Sequence, residues 1–199
     1  MVYIAICFSY IYQGPPFRWS YLGLGEPLCF LAFGPLCTCA FYLAQIPPAM
    51  ASVPPHASLL TSLSPLPPSA IALSILVGFS TTVILFCSHF HQVAGDRANG
   101  KMSPLVRWGT VQGAQTLKVT VGFTYALTLV LSLFGVLPFA VWTSSMVAYG
   151  YAAEMVKLAE TYPNDPEKLR PLKVLATKWH IGYTGMLALG LVVAKLMVI

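Results

Sequence analysis

Ser69–Thr110 reads SAIALSILVGFSTTVILFCSHFHQVAGDRANGKMSPLVRWGT. Up to Ser88 it contains no charged side chain. At about 1.5 Å per residue such a run is long enough to cross the roughly 30 Å hydrocarbon core of a bilayer. From Ser88 to Thr110 the character reverses, and Asp96, Arg97, Lys101 and Arg107 form a polar island between two apolar runs. The first half is membrane helix; the second is where the chain leaves the lipid carrying groups capable of chemistry.

The whole chain fits that start. Of its 199 residues 57% are hydrophobic and 9% charged, with a mean hydropathy of +0.73. A soluble domain carries roughly 25% charged residues, so these residues cannot cover a water-facing surface. The fold class is therefore all-α, a polytopic transmembrane helical bundle in a lipid bilayer. The cysteines (Cys7, Cys29, Cys37, Cys39 and Cys87) lie inside apolar runs without paired spacing, which supports neither a disulfide framework nor a zinc site. No nucleic-acid partner is expected, and oligomeric state leaves no mark in the sequence.

Away from the central loop, full spans are expected over Pro27–Ile46, Ser69–Ser88, Val111–Phe134, Phe139–Leu158 and Lys173–Val198. The run Met1–Tyr12 covers only about 18 Å. It reads as the second half of a further span, with a re-entrant or interfacial segment as the alternative. It lacks the basic start and small-residue cleavage site of a signal peptide. Gln13–Glu26, QGPPFRWSYLGLGE, breaks the helix at Gly14, Pro15 and Pro16. Pro47–Pro68, rich in proline and serine, reads as an extramembrane loop. Gly135–Pro138 reads as a tight turn. On this topology all six acids, and every one of the eleven Lys and Arg except Lys195, fall on one face. The positive-inside rule assigns that face to the cytoplasm or its organellar equivalent. The net charge of +5 suits an anionic partner such as lipid headgroups or a diphosphate, although topology accounts for most of it.

If the span continues as helix past Ser88, His89, Gln92 and Asp96 share one face. A carboxylate at a helix end, followed by Arg97, Lys101 and Arg107 with Gly95 and Gly100 between them, suits a diphosphate neutralised by magnesium. That ion takes one or two carboxylates and fills its shell with substrate oxygens and water, while Arg and Lys clamp the remaining charge. On spacing alone an ordinary positive-inside loop with a solvated Asp–Arg pair stays open as the alternative.

The full stretch SHFHQVAGDRANGKMSPLVRWGT resembles the second conserved loop of the 1,4-dihydroxy-2-naphthoate prenyltransferases of the UbiA superfamily, most closely the plant and cyanobacterial phytyltransferase branch of phylloquinone (vitamin K1) biosynthesis. YIYQGPPFRWSYLGLGEPLCFLAFGPL and KWHIGYTGMLALGLVVAK carry the same resemblance toward the two ends. It implies a nine-helix fold around a central cavity open to lipid, of which residues 1–199 form a partial membrane domain, from part of the fourth helix through the ninth. It also implies a chloroplast or cyanobacterial membrane, with the charged face stromal or cytoplasmic. In the implied chemistry, magnesium and basic residues draw diphosphate from a phytyl or other polyprenyl diphosphate. The ring of dihydroxynaphthoate then attacks the carbocation-like centre and its carboxylate is lost. On that scheme Asp96 is the magnesium ligand and a catalytic residue together with Lys101. Arg97, Lys101, Arg107 and Lys118 are diphosphate contacts. His89, His91, Gln92, Arg18 and Glu26 shape the acceptor end of the cavity. The N-D-x-x-D type motif that family members carry after their second helix is not among these residues. Gln92 stands where many superfamily members have the first Asp of Asp-x-x-x-Asp. Two further readings follow: a transferase for homogentisate or another aromatic acceptor, or a truncated, catalytically inactive membrane protein that binds lipid or quinone.

Overall fold

The computed structural model describes residues 2–46 and 66–197. The expected loop Pro47–Pro68 lies almost wholly outside them.

Helix α1 (Val2–Gln13) is 12 residues long, too short to span, and stops where Gly14 and the two prolines break the hydrogen-bond ladder. A short 3-10 turn, Trp19–Leu22, leads into α2 (Gly25–Gln45). Pro35 lies inside α2, where its ring would strike a preceding carbonyl and its missing N–H would leave another unpaired. The helix widens to π geometry over Ala32–Thr38, and the Thr38 hydroxyl donates to Phe33 O at 3.2 Å, so a helix-breaking residue is absorbed within a span. Helix α3 (Pro68–His89) begins with proline at its first turn. Two short helices, α4 (Val93–Ala98) and α5 (Pro104–Trp108), organise the central loop. They are followed by α6 (Thr110–Leu133), α7 (Phe139–Ser145), α8 (Tyr149–Thr161), α9 (Pro166–Leu169) and α10 (Leu172–Leu196).

Among the described residues four stretches are long and apolar enough to cross a membrane: Gly25–Gln45, Pro68–His89, Thr110–Leu133 and Pro166–Leu196. The protein is thus an integral, multi-pass helical membrane protein. The span expected over Phe139–Leu158 is helical but not continuous. Ser144 and Ser145 turn their hydroxyls onto carbonyls of the preceding turn, and the helix tightens to 3-10 geometry at Met146–Ala148 before α8 resumes. Its second half also carries Glu154 and Lys157, which lowers its hydropathy.

Helix α3 stands at the centre, packed against α2, α6 and α10, while α10 also holds α7 and α8. Where α2 crosses α3, a Cβ on Gly34 would lie 2.7 Å from both Gly78 Cα and Ser74 O, so the backbones touch. In lipid no hydrophobic force drives helices together, and such small-residue contact supplies the van der Waals packing instead. On the other side of α3, Trp179 and Tyr183 of α10 are fully buried with their polar tips satisfied. Trp179 Nε1 donates to Tyr125 OH at 3.1 Å, and Tyr183 OH lies 2.6 Å from Thr128 Oγ1. Ser144 Oγ donates to Met186 O at 2.7 Å and ties α7 to α10.

Candidate functional site

Helix α3 does not continue into the polar loop. Gln92 N bonds back to His89 O at 3.0 Å, an i to i−3 contact that tightens residues 90–92 into a turn before α4. This corrects the single-face expectation. Gln92 caps α4 and is exposed, while Asp96 folds back and is buried, with 9% of its surface accessible. The two groups that would have flanked Gln92 are joined by a third. Lys101 Nζ donates to Asp96 Oδ1 at 3.4 Å and to His89 Nε2 at 3.2 Å. On its far side His89 Nδ1 lies 3.0 Å from Glu26 Oε1, in the first turn of α2, where the helix dipole favours an acid. Three separate segments therefore meet in one chain of contacts, Glu26, His89, Lys101 and Asp96.

The two loops that carry these groups are stitched together. Met102 N donates to Tyr21 O at 2.8 Å, and the Arg107 guanidinium donates to Met102 O and Leu22 O, both at 3.0 Å. Gly23, at φ 78°, permits the approach, because a Cβ there would meet Met102 O at 2.8 Å.

Two carboxylate oxygens in the cluster are buried without a hydrogen bond, Glu26 Oε2 and Asp96 Oδ2. Lys101 lies 3.3 Å from the latter, but its hydrogen-bond geometry serves Oδ1. Unpartnered buried acceptors are costly, so each has capacity for a further donor or cation. Glu26 also lines a cavity of about 590 Å³ between α2, α3, α5 and α6, whose wall is otherwise chiefly apolar, with Phe30, Phe79, Phe86 and Trp108. Arg107 is the other charged residue in its wall. Phe30 and Phe79 of the wall meet edge to face with ring centres 5.0 Å apart, and Phe79 in turn meets Phe123, outside the wall, at 5.3 Å.

A charged cluster at the edge of an apolar chamber inside a helical membrane bundle is what a lipid-tailed anionic substrate requires, and residues 1–194 match the UbiA prenyltransferase family. The chain belongs to that family. It is 42% identical over 191 residues to the chloroplastic 2-carboxy-1,4-naphthoquinone phytyltransferase of Arabidopsis thaliana, covering 96% of this chain and 47% of the relative. It is 39% identical over 190 residues to the 2-carboxy-1,4-naphthoquinone phytyltransferase of Synechocystis sp., covering 94% and 55%. The chain thus spans about half the length of the curated relatives it matches. No solved structure matches it.

Within this UbiA chain the remaining candidate residues lie outside the cluster. The Arg97 side chain is turned to Val106 O at 3.4 Å. Arg18, at φ 42°, holds its guanidinium 5.6 Å from the centre of the Tyr21 ring. Lys118 pairs with Glu160 at 2.9 Å. It projects from the side of α6 opposite Thr116 and Thr120, which line the cavity. His91 is half-buried with Nδ1 unpartnered. The aromatic wall of the cavity escaped the sequence reading, because in a chain with 13% aromatic residues no spacing singles out Phe30, Phe79 or Phe86. Among the described residues no group of three or more His, Cys, Asp or Glu side chains is poised to hold a metal ion. Asp96 offers one carboxylate.

Proposed function

We propose that these residues form part of an enzyme that transfers a phytyl or related prenyl group from its diphosphate to a dihydroxynaphthoate, in the synthesis of phylloquinone. The observation that carries this reading is the junction at Glu26, where the Glu26–His89–Lys101–Asp96 chain, buried at His89 and Asp96, meets the apolar cavity. The relatives' names supply the substrate class. They name the oxidised ring, but attack on a carbocation-like centre needs an electron-rich one, so the acceptor enters reduced, as 1,4-dihydroxy-2-naphthoate.

Lys101 has one ammonium N–H left after Asp96 and His89, and through it donates a hydrogen bond to the diphosphate. Arg107, anchored by two backbone carbonyls, has N–H groups left for an anion at the cavity edge. As the C–O bond breaks, its electron pair leaves with the diphosphate, and preorganised cations stabilise that charge where water is excluded. The aromatic wall shields the allylic centre. The ring forms the new C–C bond, and the carboxylate leaves as carbon dioxide, returning its bonding pair to the ring. Glu26 Oε2 accepts from a ring hydroxyl, and His91 borders the acceptor end. A divalent cation is the expected companion of a UbiA prenyltransferase. Magnesium fits Asp96, whose buried carboxylate has an oxygen free of hydrogen bonds, since this ion needs only one or two protein carboxylates. When bound, it supplies further charge neutralisation for the departing diphosphate. The setting we propose is a chloroplast or cyanobacterial membrane with the cluster on the stromal or cytoplasmic side.

The test is an assay of the native gene product in nanodiscs with magnesium, phytyl diphosphate and 1,4-dihydroxy-2-naphthoate. The expected products are prenylated naphthoquinol, carbon dioxide and diphosphate. Asp96→Asn should lower kcat/KM about 100- to 1000-fold. Preference for homogentisate over the naphthoate would move the acceptor assignment. Binding of both substrates without turnover would make the protein a lipid or quinone binder instead.

A further inference from the structure

We propose that Glu26 is a positioning residue for Lys101, acting through the imidazole of His89. The inference rests on the reading of Lys101 as a diphosphate contact and adds what makes that contact directional.

An ammonium group has three donors and no acceptor. Its approach to His89 Nε2 at 3.2 Å therefore requires a lone pair on that nitrogen. A histidine with Nε2 unprotonated is neutral and carries its proton on Nδ1, and Nδ1 faces Glu26 Oε1 at 3.0 Å. The opposite tautomer would set an N–H against the ammonium and a lone pair against the carboxylate, two repulsions where the observed arrangement has two bonds. A protonated ring would keep the Glu26 contact but lose the Lys101 one. His89 is 3% exposed, so water is not at hand to serve either nitrogen. Glu26 thus selects the form of His89 that can receive Lys101, as the second bond of an imidazole usually does.

The consequence falls on the lysine. Its four-carbon stem is flexible and its charge is a point rather than a fork. With Asp96 on one proton and His89 on another, the tetrahedral geometry of the nitrogen sets the direction of the third. Asp96 alone would leave the ammonium free to swing about a single bond. Glu26 is 63 residues away from His89 in sequence and sits in the first turn of α2, so the start of one span sets the aim of the loop that follows another.

Inorganic pyrophosphate with magnesium is the probe, because it has no ring and so does not sense any acceptor contact of Glu26. Affinity is measured by titration calorimetry on the full chain in nanodiscs. Lys101→Met should weaken binding about tenfold or more. Glu26→Leu and His89→Leu should each give a loss of similar size, and neither should add to Lys101→Met in the double variant. Glu26→Gln should stay within about threefold of the parent, since an amide oxygen still accepts from Nδ1–H. The second readout is nitrogen NMR of protein labelled at its four histidines, with His89→Gln identifying the His89 signals. Nδ1 should be protonated and Nε2 bare in the parent and in Glu26→Gln, with a shift toward the other tautomer in Glu26→Leu. If Lys101→Met binds pyrophosphate normally, the parent reading of Lys101 falls. If binding depends on Lys101 but not on Glu26 or His89, or if parent His89 carries its proton on Nε2, the positioning role alone is overturned. Should Glu26→Leu fail to fold, the tautomer in the parent and the affinity of Glu26→Gln still decide.

Discussion

Lys101 and Lys118 have the same side chain in opposite surroundings. The first is 18% exposed and held between an imidazole and a carboxylate; the second is 63% exposed and meets Glu160 across α6 and α8. Exposed ion pairs are worth about 0–1 kcal/mol. Lys118→Met should therefore leave the denaturation midpoint close to the parent's and pyrophosphate affinity within about twofold. A tenfold loss would return Lys118 to the diphosphate contacts. The charged members of the cluster were legible in the sequence because, in a chain with 9% charged residues, they gather in the polar stretches between apolar runs. Their connections were not. Gln92 lies in the expected register four residues before Asp96 and is exposed, whereas Glu26, at the start of α2, lies inside. Helical spacing predicts neighbours along one helix and is silent about a loop that folds across from elsewhere.

The crossing of α2 and α3 determines how close Glu26 comes to His89, since both residues sit at the same end of that pair. Gly34→Leu would drive a side chain into Gly78 and Ser74, which backbone atoms cannot yield to without separating the helices. It should destabilise the protein by about 1–3 kcal/mol, read as a lower thermal midpoint in nanodiscs, and should weaken pyrophosphate binding as the cluster opens. Normal stability would mean that the crossing tolerates separation. At this level four spans were readable as long, chiefly apolar runs, because a bilayer leaves little else for such residues to face. The bend between α7 and α8 was hidden. Ser144 and Ser145 look innocuous in an apolar run, and only their carbonyl contacts show why the helix tightens there.

Across the whole molecule the charged cluster, the Lys118–Glu160 pair and the loop pairs Lys168–Asp165 and Arg170–Glu167 all belong to segments that the topology places on one face. Asn99→Cys should accordingly react with an impermeant maleimide only from the stromal or cytoplasmic side of oriented membranes, and Phe134→Cys only from the other. Labelling of both from one side would refute the topology. The link between Glu26 and His89 also has a consequence in time. Ribosomes add about 5–20 residues per second, so where the chain inserts as it is made, Glu26 exists roughly 3 to 13 seconds before the histidine 63 positions later can receive it. Over that interval the carboxylate must wait at the water boundary, where its place in the first turn of α2 lets it be held by the helix dipole. A nascent chain arrested before residue 89 should therefore keep this end of α2 wet, and the site would close only when the later helix arrives.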